Sequence, residues 1–169
     1  PAGASIFSHY SKRSEKEMDL VYKVNLKGTI NMIVELTNLI RNKSKTKIDI
    51  INISSIYGLK APNFKIYKKG DRFNSEIYGA TKSGIIQVTK YFAKILENKN
   101  IFCNCVSPGG IKSNQNQTSS FQKRYMNNLV IKRMGNTNDV LNGIFYLTHP
   151  KNDYITGQNL IIDGGLSLG

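Results

Sequence analysis

The strongest constraint on this chain is an alternation. Segments with helical periodicity take turns with short, β-branched apolar runs, and that order sets the layering before any motif is considered. Lys47–Ile53 reads Lys-Ile-Asp-Ile-Ile-Asn-Ile, and Ile101–Val106 reads Ile-Phe-Cys-Asn-Cys-Val. Such runs suit strands buried on both faces. Asn159–Asp163 is a third, closed by Gly164-Gly165. Ser14–Asn42 places Met18, Val21, Asn25, Met32 and Leu36 near one helical stripe, with a break in the pattern at Gly28. Ile77–Asn98 does the same with Ile85, Val88, Thr89, Phe92 and Leu96. A short helix is expected near Phe121–Leu129, and another over Asn136–Leu147 with Thr137 as its cap. Helix, strand, helix, strand, helix, strand predicts an α/β fold: a doubly wound parallel sheet in a three-layer αβα sandwich. The 169 residues make one domain. Ligands of such sheets bind beyond the carboxyl ends of the strands, here Ser54-Ser55 and Pro108-Gly109.

Charge and cysteines narrow the class. The net charge of +13 comes mostly from Lys spread along the chain, and the clusters Lys43–Lys47 and Lys65–Lys69 are interrupted by neutral residues. That is a solvated basic exterior rather than the arginine- and aromatic-rich face of a nucleic-acid binder. No apolar run approaches the roughly 20 residues that span a bilayer. Neither nucleic acid nor membrane is an expected partner. Cys103 and Cys105 lie two apart on one face of a strand, too close for an unstrained disulfide, and no His stands near them for zinc. They read as buried thiols in a reducing, cytoplasmic setting.

The chemistry-bearing group is Ser55, Tyr78 and Lys82. Tyr78 and Lys82 are four apart at the start of the clearest helix, so phenol and ammonium share a face. A phenol titrates near pH ~10, and an adjacent cation is expected to draw it toward the working range. It then exchanges a proton with a carbonyl or alcohol oxygen, while Ser55 hydrogen-bonds the same oxygen. Ser54 competes for that role, but Ser55 stands three before Gly58 and is preferred.

These residues resemble the short-chain dehydrogenase/reductases. Asn52-Ile53-Ser54-Ser55-Ile56-Tyr57-Gly58 is similar to that family's strand-end serine motif, and Tyr78-Gly79-Ala80-Thr81-Lys82 to its Tyr-x-x-x-Lys. Val24-Asn25-Leu26-Lys27-Gly28 matches its Asn-x-x-Gly, and Asn104–Gly109 followed by Ser113 resembles its nicotinamide-contacting segment. Arg133-Met134-Gly135, Tyr154–Gln158 and Asp163-Gly164-Gly165 look like its C-terminal signatures. The matches run in family order from residue 2 to residue 167. The resemblance implies an oxidoreductase that moves hydride between NAD or NADP and a carbonyl or secondary alcohol. It assigns catalysis to Asn25, Ser55, Tyr78 and Lys82, Asn25 through a water that links Lys82 to solvent. It assigns cofactor contacts to Ala2, Gly3, Asn25, Tyr78, Lys82, Pro108, Gly109, Ile111 and Ser113, with no metal. A small-molecule substrate and a homodimer or homotetramer are expected.

The chain departs from the family pattern in two places. It has no Gly-x-x-x-Gly-x-Gly turn, and Pro1-Ala2-Gly3 resembles the end of the motif on the family's fourth strand. The expectation is a Rossmann-like domain truncated at its N-terminus, keeping strands four to seven and inactive by itself; the alternative is a non-catalytic subunit. The Ser55–Tyr78 interval is also longer than usual. Its extra residues, Asn63–Glu76, carry Phe64, Tyr67, Phe73, Lys65, Lys68, Lys69 and Arg72. This insertion resembles the oxidoreductases of bacterial flagellin-modification and surface-sugar pathways, and implies a ring-bearing, anionic substrate such as a nucleotide-linked sugar.

Overall fold

The computed structural model describes residues 3–40, 45–69, 71–97, 99–113 and 115–169. Among them, three strands form one parallel sheet in the order β1 (Ile48–Ile53), β2 (Ile101–Pro108), β3 (Asn159–Ile162). The expected fourth strand is not among them. Pro1 and Ala2 lie outside the described residues, and 3–8 form no strand. The central strand is the buried one: Cys103, Asn104, Cys105, Val106 and Ser107 are fully enclosed. Both cysteines are free, as anticipated, and burial raises their thiols to about 12 and about 11.

Helices cover both faces. On one, α3 (Glu76–Ile95) packs against Ile101, Cys103 and Cys105 through Ala93, Leu96, Ile85 and Ile86. On the other lies α5 (Thr137–Thr148), so close that a methyl group on Gly143 would meet the Ile162 side chain. The cap of α5 is Asn136, not Thr137. Its side chain accepts from the Asp139 N–H, and the Asp139 carboxylate reaches back to the Asn136 N–H, a reciprocal pair that Thr137, one residue further on, cannot make.

The long first helix is not regular. α1 (Glu15–Tyr22) and α2 (Gly28–Leu39) are joined through a wider π turn at Lys23–Lys27. This corrects the predicted stripe. Val21 and Ile33 are buried, whereas Met32 is 73% exposed. Eleven residues of ideal α-helix return to nearly the same face, which favours Met32; a π turn absorbs one extra residue and hands the position to Ile33.

A second cluster of buried side chains lies beyond the carboxyl ends of the strands. Ile56 and Ile66 meet Phe121 and Tyr125 of α4 (Ser119–Asn127), together with Leu129, Met134 and Leu166. It holds the polar connections around the place where ligands of such sheets bind. No helix of the described residues is long and apolar enough to cross a membrane.

Candidate active site

β1 and β2 run in register, with Ile53 opposite Val106, so Ser55 and the segment after Pro108 leave the sheet at the same edge. α3 brings the other two groups to that edge. Its cap is Ser75, whose hydroxyl accepts from the Tyr78 N–H at 3.3 Å and fixes the first turn. Two glycines then allow the strand end and the helix to interlock. A methyl group on Gly58 would lie 2.8 Å from the Lys82 carbonyl carbon, and one on Gly79 would lie 2.9 Å from the Tyr57 oxygen. Either side chain would push Ser55 away from Tyr78.

The two serines divide their tasks. Ser54 Oγ donates to the Lys82 carbonyl at 2.7 Å and is buried there. Ser55 is the one whose side chain interacts with the Tyr78 phenol. The Lys82 ammonium lies 5.5 Å from the centre of the Tyr78 ring and donates to the Ile53 carbonyl at 2.9 Å. Only 1% of Lys82 is exposed, and burial lowers it from an ordinary 10.5 to about 8. Tyr78 behaves differently from the sequence expectation. Burial raises it above 10.0, with the hydrogen bond from Ser55 pulling the other way. Desolvation of the phenolate outweighs the Ser55 hydrogen bond, so Tyr78 is held in its acid form.

Asn25 sits in the π turn and is 3% exposed. Its side chain clasps the backbone of Ala4, accepting from the N–H at 2.7 Å and donating to the carbonyl at 2.9 Å, and also donates to Thr81 Oγ1 at 3.1 Å. Gly3, at φ +133°, passes directly over this clasp: a methyl group there would be 2.5 Å from Asn25 Oδ1 and 3.3 Å from Lys82 Nζ. Asn25, Gly3 and Lys82 are therefore neighbours. Ala2 lies outside the described residues.

The segment after β2 is tied to the neighbouring turn. Gly109 donates to the Ile162 carbonyl at 2.8 Å, and a methyl group on it would press on Asp163. Ile111 bridges to Gly135. One contact here escaped sequence reasoning. The Gln117 carboxamide donates to the Ile111 carbonyl at 3.0 Å and accepts from the Ser113 N–H at 3.1 Å. The Ile111 backbone that the resemblance assigns to nicotinamide, together with the Ser113 N–H beside the hydroxyl it also assigns, thus already binds a carboxamide, the polar group that nicotinamide carries. Asn104, another missed residue, is fully buried and holds Ile155 and Gln158 in the loop before β3.

The 63–76 insertion is folded inward. Tyr67 packs on Phe73 and Phe121, and its hydroxyl pairs with that of Tyr57 at 2.7 Å. Asp71 forms an ion pair with Arg124 of α4, and Arg124 Nε donates to the Ile66 carbonyl at 2.6 Å. Tyr67 and Phe73 are therefore used in packing, while Lys65, Lys68, Lys69 and Arg72 remain exposed.

An open parallel sheet with helices on both faces, its candidate residues gathered beyond the strand ends, defines a Rossmann-like α/β domain. Comparison with known proteins gives the family. A family model described as enoyl-(acyl carrier protein) reductase matches residues 2–167, and the chain belongs to the short-chain dehydrogenase/reductase family. The 3-oxoacyl-[acyl-carrier-protein] reductase FabG of Staphylococcus epidermidis is 33% identical over 160 residues, 93% of this chain and 60% of that protein. A short-chain dehydrogenase of Leptospira borgpetersenii, solved with bound NAD+, superimposes with a TM-score of 0.88 at 38% identity, over 98% of this chain and 62% of that one. ElxO, solved with NADP, gives 0.79 at 28% identity, over 99% and 65%. The chain thus spans about three fifths of the length of these relatives.

Proposed function

We propose that this chain provides the catalytic half of an NAD- or NADP-dependent oxidoreductase acting on a carbonyl or secondary alcohol. The observation that carries the reading is the convergence of Ser55, Tyr78, Lys82 and Asn25 on one strand edge. Tyr78 donates a proton to the substrate oxygen, a role suited to a phenol kept protonated by burial. Ser55 hydrogen-bonds the same oxygen and steadies its developing charge. Lys82 places a cation behind the phenol, which favours the phenolate left after transfer. Asn25 and Gly3 fix the backbone that faces Lys82.

The residues fit a nicotinamide group, because Ile111 and Ser113 already hold a carboxamide and Gly3 leaves room beside Lys82. Nicotinamide, when bound, supplies or takes up the hydride. These 169 residues carry no glycine-rich phosphate turn, so we place the adenylate half of the cofactor site outside them. The exposed cations of the 63–76 insertion support an anionic substrate, a sugar or nucleotide-sugar among the candidates, and the family setting supports a cytoplasmic homo-oligomer.

The test is a fluorescence titration with NADH and with reduced nicotinamide mononucleotide. The reading expects saturable binding of both with similar affinity, weakened in Lys82→Met. Absence of binding, or binding indifferent to Lys82→Met, rejects it. In an active form of the protein, Tyr78→Phe is expected to lower turnover by about 10²–10⁴-fold.

A further inference from the structure

The 63–76 insertion carries more positive charge than its own carboxylates can answer, because both are used inside the fold. Asp71 is paired with Arg124 of α4, and Glu76 with Arg13. Among the described residues, no carboxylate pairs with Lys65, Lys68, Lys69 or Arg72. Of these cations, Arg72 is the one that neighbours hold in place. Its guanidinium lies over the Phe7 ring, 5.4 Å from the centroid, and its Nη1 donates to Asn116 Oδ1 at 3.1 Å. Two residues on, Asn74 accepts from Ser5 Oγ at 2.8 Å, so the insertion is docked against the start of the chain at two points.

Three chain segments meet at this guanidinium, and each leads into the candidate site. Phe7 follows shortly after Gly3, where an added methyl group would lie 3.3 Å from Lys82 Nζ. Asn116 adjoins Gln117, which holds the Ile111 carbonyl and the Ser113 N–H. Arg72 itself shortly precedes Ser75, the cap that fixes the turn of Tyr78. Extended chain from Arg72 to Ser75 and helix from there to Tyr78 span at most about 15 Å between the outer Cα atoms. The contacts also set how the guanidinium is presented. Phe7 takes its face and Asn116 takes one edge donor, while other N–H groups lie in the same plane at an exposed position. A fixed fork of this kind matches the paired oxygens of a carboxylate or a phosphate, which a mobile ammonium does not.

We propose that Arg72 determines substrate specificity at this site, its guanidinium receiving an oxyanion that the substrate carries at a distance from its reacting carbonyl. The assignment rests on the oxidoreductase reading and adds to it the group that selects the substrate. The anion binds at the rim, between Phe7 and Asn116, while the carbonyl lies deeper, against Tyr78 and Ser55. The lysines of the insertion contribute a general positive field, and the discrimination belongs to the fork.

The probes are 4-oxopentanoate, 5-oxohexanoate and 6-oxoheptanoate, each against its neutral amide, with hydroxyacetone phosphate as the phosphate arm. Binding to the 169-residue chain is followed by ligand-observed NMR. At least one oxyanion is expected to bind about tenfold or more tightly than its neutral counterpart, and the better arm tells carboxylate from phosphate. Arg72→Gln should erase that preference and Arg72→Lys should keep only part of it, both at an exposed position where folding is not at stake. Three results overturn the proposal: no saturable binding of any probe, a preference unchanged in Arg72→Gln, or equal losses in Arg72→Gln and Lys65→Gln, which would make the effect a diffuse field. Weaker binding in Tyr78→Phe with no effect of Arg72→Gln would leave the oxidoreductase reading standing and reject this one. If instead Tyr78→Phe has no effect while Arg72→Gln does, the anion site stands and its tie to the phenol fails, which also overturns the proposal.

Discussion

Lys82→Met separates the electrostatic cost of the candidate site from its chemistry. The ammonium is almost fully enclosed and titrates at about 8 rather than 10.5. Between those values the unfolded chain holds a proton that the folded chain has released, so folding grows more favourable as pH rises through this window. Below about 8 the cost of the buried cation is complete; above the unfolded value it vanishes. From about pH 7 to about pH 10, linkage gives a relative gain of about 2.5 kcal/mol for the unsubstituted protein. Methionine has a similar length and no charge, so the variant lacks this slope. It also loses the bond to the Ile53 carbonyl, a cost of about 1–3 kcal/mol, but that cost is independent of pH and cancels from the comparison. The assay is urea unfolding of both proteins across the range. With a slope of about 2 kcal/mol per molar for a chain of this size, the two midpoints should converge or diverge by roughly 1 M. Parallel profiles would refute the argument, because they would mean that Lys82 keeps its hydration in the folded state.

Asn104→Ala orphans the Ile155 carbonyl and the Gln158 N–H in a fully buried position, and should cost about 2–5 kcal/mol in urea unfolding. A loss below about 1 kcal/mol would show that water replaces the side chain. Gly58→Ala forces a methyl group against the Lys82 backbone, and is expected to destabilise by about 1–3 kcal/mol. Gln117→Ala frees the Ile111 carbonyl and the Ser113 N–H, and should tighten nicotinamide mononucleotide binding by roughly 3–10-fold, about 1 kcal/mol. Weaker binding would instead make Gln117 part of the site.

The sheet was legible because its strands are short, β-branched apolar runs between helical segments, although only the central one is buried throughout. The Tyr78 and Lys82 pair was legible because helical spacing alone puts two residues four apart on one face. Contacts made across the chain left no such trace. Gln117 reaches Ile111 and Ser113 by the chance of a loop returning on itself, and Asn104 was hidden inside a strand that read simply as core. The Tyr78 titration was misjudged for a related reason: sequence shows a neighbouring charge but not the depth of burial that raises the phenol. Ser75 was within reach, since a serine before a periodic apolar segment is an ordinary helix start. The aromatic residues of the insertion were noticed but read as contacts for a substrate ring, because composition does not say that Tyr67, packed on Phe73, faces α4.

The π turn at Lys23–Lys27 sets the relative phase of the two helices it joins. Twelve residues of uniform α-helix would leave Val21 and Ile33 about 120° apart, and the extra residue reduces this to about 20°. Both then point to the same interior, with Asn25 between them. Length and angle are thereby uncoupled. Deleting one residue here would cost the helix almost nothing as a helix, yet would rotate α1 against its partners like a gear slipped by one tooth. Nearly every substitution in the segment should thus be milder than its shortest deletion.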